Sequence, residues 1–69
     1  MERIAVSSSN VRAVGYEAST STLEVEFNNG SVYQYQGVPQ GVYDSLMQAD
    51  SKGSFLNTHI KGSYGFTKI

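Results

Sequence analysis

Phe27-Asn28-Asn29-Gly30-Ser31-Val32-Tyr33-Gln34-Tyr35 is the stretch on which the fold turns. Upstream, Leu23, Val25 and Phe27 alternate with Glu24 and Glu26, the period of a half-buried strand. Downstream, Tyr33 and Tyr35 again stand two apart. A two-residue Asn29-Gly30 turn would pair Phe27 with Val32 and put both tyrosines on the glutamate face. A three-residue Asn28-Asn29-Gly30 loop, with Gly30 left-handed, pairs Val25 with Tyr33 and Leu23 with Tyr35. Because slipping the register by one residue turns every side chain over, burial selects the three-residue loop.

The rest of the chain builds outward from this hairpin. Ile4-Ala5-Val6 is a short apolar piece able to anchor the N-terminus on the sheet, followed by the polar loop Ser7-Ser8-Ser9-Asn10. Val11 to Tyr16 reads as the first full strand, with Val14 and Tyr16 inward. Glu17 to Thr22 is a Ser/Thr-rich surface connection. Gly37-Val38-Pro39 ends the sheet, since proline donates no ladder hydrogen bond but suits the first turn of a helix. Val42, Leu46 and Ala49, broadened by Tyr43 and Met47, form the stripe of an amphipathic helix of about three turns over residues 39–49. Ser51 caps a second, shorter helix through Ile60, with Phe55/His59 and Leu56/Ile60 as its i, i+4 pairs. Gly62 suits a left-handed stop. Tyr64, Phe66 and Lys68 alternate in a tail that forms a fourth short strand or frays. The expected fold is α+β: an antiparallel meander of about three strands packed against one longer and one shorter helix, in a single domain spanning 1–69.

Composition narrows the functional classes. The chain has 69 residues, 39% of them apolar, with no cysteine and one histidine, His59. Disulfides and thiolate metal sites are therefore excluded, and a histidine-based metal site is disfavoured. No cofactor is expected. No apolar run approaches a membrane span, and the N-terminus lacks the apolar core of a signal peptide, so the expected location is the cytoplasm. Residues 1–50 carry two basic and six acidic side chains, whereas residues 51–69 carry three lysines and no acid. That segregation could make a basic face.

Several features taken together resemble the KTSC domain family. Gly15-Tyr16 after an apolar strand, Leu-x-Val-x-Phe at 23–27, Gly30, Tyr33-x-Tyr35 and Val38-Pro39 stand in the family's order. So do Tyr43, Leu46, Ala49, Ser51, Gly53, Phe55, Asn57 and Ile60-Lys61. The resemblance covers roughly residues 6 to 64. It departs at Glu17, where the family more often has Asp, and at Lys61, where Arg is common; lysine keeps the charge but loses the planar fork. The resemblance implies a short module found alone in bacterial and phage proteins and at the C-terminus of some lysyl-tRNA synthetases. It implies no established activity, and it suggests RNA, tRNA-like, as a ligand.

Candidate sites follow from residue chemistry. Same-face aromatics on a sheet suit base stacking, but the hairpin register assigns Tyr33 and Tyr35 to the core. Lys61-Gly62-Ser63-Tyr64-Gly65-Phe66 is one inserted serine from the stacking strand of RNA-recognition motifs, and Gly62-Ser63-Tyr64-Gly65 fits the Gly-x-x-Gly of KH domains. Both matches fail on context, leaving an aromatic pair, Tyr64 and Phe66, flanked by Lys61 and Lys68. The N–H groups at Ser51 to Ser54, beside Lys52, are a further anion candidate. The RNA-binding residues expected on these grounds are Arg12, Lys52, Asn57, Lys61 and Tyr64. Glu24 and Glu26 are expected to face solvent. Ser, His59 and Asp44 or Asp50 compose no convincing triad, so the chain is read as non-catalytic, with a protein partner as the alternative to RNA.

Overall fold

A computed structural model describes residues 2–69. Five strands form one antiparallel sheet in chain order: β1 (Arg3–Ala5), β2 (Val11–Glu17), β3 (Thr22–Phe27), β4 (Val32–Tyr35) and β5 (Phe66–Lys68). Between β4 and β5 come α1 (Gln40–Gln48), α2 (Lys52–Phe55) and a single π turn, Leu56–Ile60. The α+β class agrees with expectation, but the sheet has five strands rather than three or four. The tail does form a strand. The extra one, β1, is only three residues long and exposed throughout, so it carries no usable alternation.

The hairpin adopts the three-residue loop. Leu23 pairs with Tyr35 and Val25 with Tyr33, Gly30 is left-handed at φ 91°, and the Gly30 N–H donates to the Phe27 carbonyl at 3.0 Å. The Asn29 side-chain oxygen accepts the Ser31 N–H at 3.0 Å, which closes the loop. Propagated across the sheet, this register gives two inner rows, Ile4–Val14–Val25–Tyr33–Lys68 and Tyr16–Leu23–Tyr35–Phe66. A bulge in β2 at Arg12 lets both Val11 and Val14 turn inward although they are three residues apart. The inner rows meet Leu46 of α1 and Leu56 and Ile60 of the π turn, with Val38 filling the corner, to make one buried core.

Side-chain hydrogen bonds hold the helices on this core. The Tyr16 hydroxyl donates to the Val38 carbonyl at 2.6 Å, and its ring stacks on Tyr43 at 4.8 Å. Together these fix where the chain leaves the sheet for α1. Ser51 caps α2 as expected, its hydroxyl accepting the Ser54 N–H at 3.3 Å. The second helix does not run uniformly to Ile60, however. It widens after Phe55, and the Lys61 N–H reaches back five residues to the Leu56 carbonyl at 2.7 Å. Both Leu56 and Ile60 stay buried through this widening. Gly53 lies against the Asn10 carboxamide, so close that a methyl group there would overlap its oxygen.

On the outer face the expectation for Glu24 fails. The row Arg3–Gly15–Glu24–Gln34–Thr67 has no side chain at Gly15, so Arg3 on β1 crosses β2 and pairs with the Glu24 carboxylate. Gln34 donates to the same carboxylate at 2.9 Å, and Glu24 is left only 5% exposed. Glu26 is half-buried and bridged by Arg3 at 3.3 Å and Arg12 at 3.5 Å. The acids are thus covered and neutralised by Arg3, on a strand that the hydrophobic pattern did not show, together with Arg12 of β2. Burial alone pushes the Glu24 carboxyl up, but the Gln34 hydrogen bond, then the Arg3 hydrogen bond and charge, outweigh it and hold the group below its ordinary value.

Two measurements check this frame. Replacing buried Tyr35 by alanine should cost about 3 to 5 kcal/mol in denaturant unfolding, as large-to-small core changes do; an unchanged midpoint would refute the core assignment. Glu24 has a lowered folded-state pKa, so its contribution is complete above the ordinary value of 4.5 and is lost as pH falls through the folded value. Glu24→Gln should therefore be less stable than the parent at neutral pH and should lose less stability on acidification below pH 4.5. Parallel acid limbs for the two proteins would contradict the pairing.

Candidate functional site

Because the helices cover the inner sheet face only around Leu46, Leu56 and Ile60, the aromatic rows run out from under them at the β3–β4–β5 end. There Phe27 and Tyr33 are half-buried and Phe66 is 61% exposed. Their rings form a chain of edge contacts, Phe27 to Tyr33 at 5.7 Å and Tyr33 to Phe66 at 5.7 Å, and Phe66 continues to Tyr35 at 5.9 Å. Near-perpendicular packing of this kind is favourable between rings and leaves faces available on the open side.

Two lysines border this chain of rings, and local backbone geometry puts them there. Lys61 follows the π turn directly. Gly62 then takes φ 84°, and the Ser63 N–H donates to the Ile60 carbonyl at 3.1 Å, so the chain reverses and returns as β5. Ile60 points into the core while Lys61 stands on the rim, its Nζ 5.5 Å from the centre of the Phe27 ring. Lys68 is exposed opposite Tyr33 in the β4–β5 register. Two open clefts meet here and share Tyr33 and Lys61. One, of about 280 Å³, is floored by Tyr33, Tyr35, Gly62 and Phe66; the other, of about 420 Å³, continues past Phe27 to the hairpin tip. Both are near the small end of the range for ligand sites, about 300 to 1,000 Å³.

The five residues expected from sequence do not form one patch. Lys61 lies in the aromatic groove. Lys52 is half-buried, and its ammonium donates to the Ala49 carbonyl at 2.9 Å, closing the end of α1. Arg12 is turned to the hairpin base, donating to the Asn28 carbonyl at 3.0 Å and pairing with Glu26. Asn57 is exposed on the π turn. Tyr64 is half-buried in a different cleft, of about 570 Å³, beside Pro39, Val42, Phe55 and His59. Sequence reasoning placed Tyr33 in the core, where only half of it lies, and it read Phe66 as the partner of Tyr64 rather than of Tyr33. The signal that joins Tyr33, Phe66 and Lys68 is the pairing of β4 with β5, which the tail's alternation hints at without naming a neighbour.

Chemically, the groove offers π faces, one lining cation in Lys61 and no carboxylate side chain among its lining residues, with Lys68 just outside it. His59, by contrast, is exposed, with its ring 4.6 Å from that of Phe55. Among the described residues no group of three or more His, Cys, Asp or Glu side chains could hold a metal ion, and no helix is long and apolar enough to cross a membrane.

Comparison with known proteins agrees with this architecture. The model of the KTSC domain matches residues 7–64. The chain belongs to the KTSC domain family. A crystal structure of a KTSC domain protein from Yersinia pestis superposes with a TM-score of 0.93 at 40% identity, covering 99% of this chain and 96% of that one. A protein of Stutzerimonas stutzeri, named only as uncharacterized, is 43% identical over 61 residues, which is 88% of this chain and 86% of its own length. The same KTSC region is 43% identical over 59 residues to part of a lysine–tRNA ligase of Nostoc punctiforme. It spans 86% of this chain but only 10% of that ligase.

The two helical-layer lysines have different duties, and stability measurements should separate them. Lys52→Met removes a charge-assisted bond to the Ala49 carbonyl and should cost about 1 kcal/mol. Lys61→Met exchanges one contact on Phe27 for another and should shift the unfolding free energy by less than about 0.5 kcal/mol. Equal losses for the two variants would show that Lys61 too is a structural residue.

Proposed function

We propose that this KTSC domain is a non-catalytic cytoplasmic module that binds unpaired RNA across the groove of Phe27, Tyr33 and Phe66, with Lys61 and Lys68 on its phosphates. The observation that carries this reading is the chain of three aromatic rings, two half-buried and Phe66 exposed, bordered by two lysines on the sheet face opposite the arginine-paired glutamates. Aromatic side chains accept bases of any kind by stacking, and each stacked base is worth about 1 to 3 kcal/mol. The presence of a similar domain within lysine–tRNA ligases supports an RNA ligand, tRNA among the candidates.

A second reading has its own observation. Phe66 and Ile69, 61% and 59% exposed, sit on and beside the edge strand β5, whose outer side is free to accept a strand from a protein partner. The two readings differ in salt dependence. With two phosphates neutralised, the logarithmic salt slope for a single strand should be only about −1.4. Titration of the labelled domain with an unstructured RNA oligonucleotide and with total transfer RNA should move the amides of Phe27, Tyr33, Lys61 and Phe66. The double change Lys61→Glu and Lys68→Glu should abolish those shifts while the spectrum stays dispersed. Absence of RNA binding at low salt, or binding that survives the double change, would reject the groove as an RNA site.

A further inference from the structure

Resting on the RNA reading, the two adjoining clefts carry a sharper statement about the ligand. They have opposite chemistry. The smaller is aromatic, floored by Tyr33, Tyr35 and Phe66, and suits a base held by its face. The larger shares Tyr33 and Lys61 with it, but its far wall consists of Ser9, Asn10, Asn28, Asn29 and Ser31 at the hairpin tip. The hydrogen bonds of that wall leave specific atoms unused. Asn29 spends its side-chain oxygen on the Ser31 N–H, which keeps its NH₂ as a donor. Asn28 spends its NH₂ on the Ser9 carbonyl at 3.0 Å, which keeps its oxygen as an acceptor. Consecutive residues of one cleft thus keep one donor and one acceptor, the two kinds of group that the hydrogen-bonding edge of a base pairs with.

Lys61 borders both clefts, so its flexible side chain is the one cation common to them and can swing to a group linking their two occupants. In RNA that group is the phosphodiester between two successive nucleosides. We infer that the groove is built for a dinucleotide step of unpaired RNA: one base stacked on the exposed Phe66 ring with Tyr33 at its edge, the next read by the Asn28 and Asn29 amides, and the linking phosphate on Lys61. Lys61 reaches that phosphate by leaving the Phe27 ring, which its ammonium covers in the free protein. The face it vacates becomes available to the second base. Lys68, opposite Tyr33, lies outside both clefts and serves the flanking phosphate.

The test uses the full chain and small probes. Amide-shift titrations compare adenosine monophosphate, ApA, ApA with an uncharged methylphosphonate link, and a longer unstructured RNA. ApA should bind more tightly than the monophosphate, and removing the link's charge should weaken it about three- to fivefold, the worth of one exposed ion pair. Lys61→Met should bind the charged and uncharged dinucleotides equally. Asn29→Ser keeps a turn-closing oxygen, though a weaker one, and loses the NH₂ donor; it should level the preference among ApA, CpC, GpG and UpU while the domain stays folded with a dispersed spectrum. If the longer RNA binds while ApA binds no better than the monophosphate, the dinucleotide assignment is wrong and the RNA reading stands. An uncharged link that costs nothing, or a charge effect that persists in Lys61→Met, overturns the role given to Lys61. If no probe binds, the longer RNA included, the parent reading fails with it.

Discussion

A left-handed glycine at the tip of one hairpin sets the positions of nearly everything else in this domain. Gly30 lets Asn28, Asn29 and itself form a three-residue loop, and that odd count puts Leu23, Val25, Phe27, Tyr33 and Tyr35 on one face of the sheet. An L-residue with a side chain would be strained at this φ. The alternative two-residue turn would exchange the faces of Tyr33 and Tyr35 relative to the leucine and valine. The core would lose its tyrosine floor, and the glutamates would share a face with the displaced rings. A loop-tip backbone angle therefore decides which side of the sheet is apolar, and from that where the helices can land.

The helical layer is short, and its shortness creates the groove. α1 has nine residues and α2 with its π turn another nine, against a sheet five strands wide. So little helix buries the middle of the aromatic rows and leaves their β3–β4–β5 end open. The π turn adds to this effect. Closing with a five-residue hydrogen bond, it keeps Leu56 and Ile60 in the core while releasing Lys61 to the rim. A widened turn of this sort often marks functional positions in helices, and here it separates a structural side chain from an adjacent exposed cation. On the opposite face the charges are arranged for cohesion, with Arg3 and Arg12 reaching across strands to Glu24 and Glu26.

Much of this was legible in the residues because local and long-range signals agreed. The alternation at 23–27, the Asn-Asn-Gly loop, the Pro39 break, the Ser51 cap and the Gly62 reversal each had a local physical cause, and each appears in the structure. The elements that escaped depended on partners remote in sequence. β1 is a strand through its ladder with β2, and its Arg3 finds Glu24 across a glycine, 21 residues away. The bulge at Arg12 has no compositional mark, and the π widening looks from sequence like an ordinary helix carrying i, i+4 pairs. The groove was missed for the same reason. Tyr33, Phe66 and Lys61 come from β4, β5 and the end of the π turn, and only the β4–β5 register and the path of the chain around Gly62 bring them together.

The contact between Gly53 and Asn10 joins two parts of the molecule that otherwise look independent. Asn10 belongs to the loop before β2; its carbonyl accepts the Asn28 N–H at 2.9 Å, and its side chain forms part of the wall of the hairpin-tip cleft. Gly53 belongs to α2 and lies directly against that side chain. The missing methyl group at position 53 is therefore what lets α2 and the Asn10 loop approach so closely. Any side chain introduced there would overlap the Asn10 carboxamide and force it to shift. The seating of a residue that lines the cleft is thus set in part by a backbone position of α2 that does not line it.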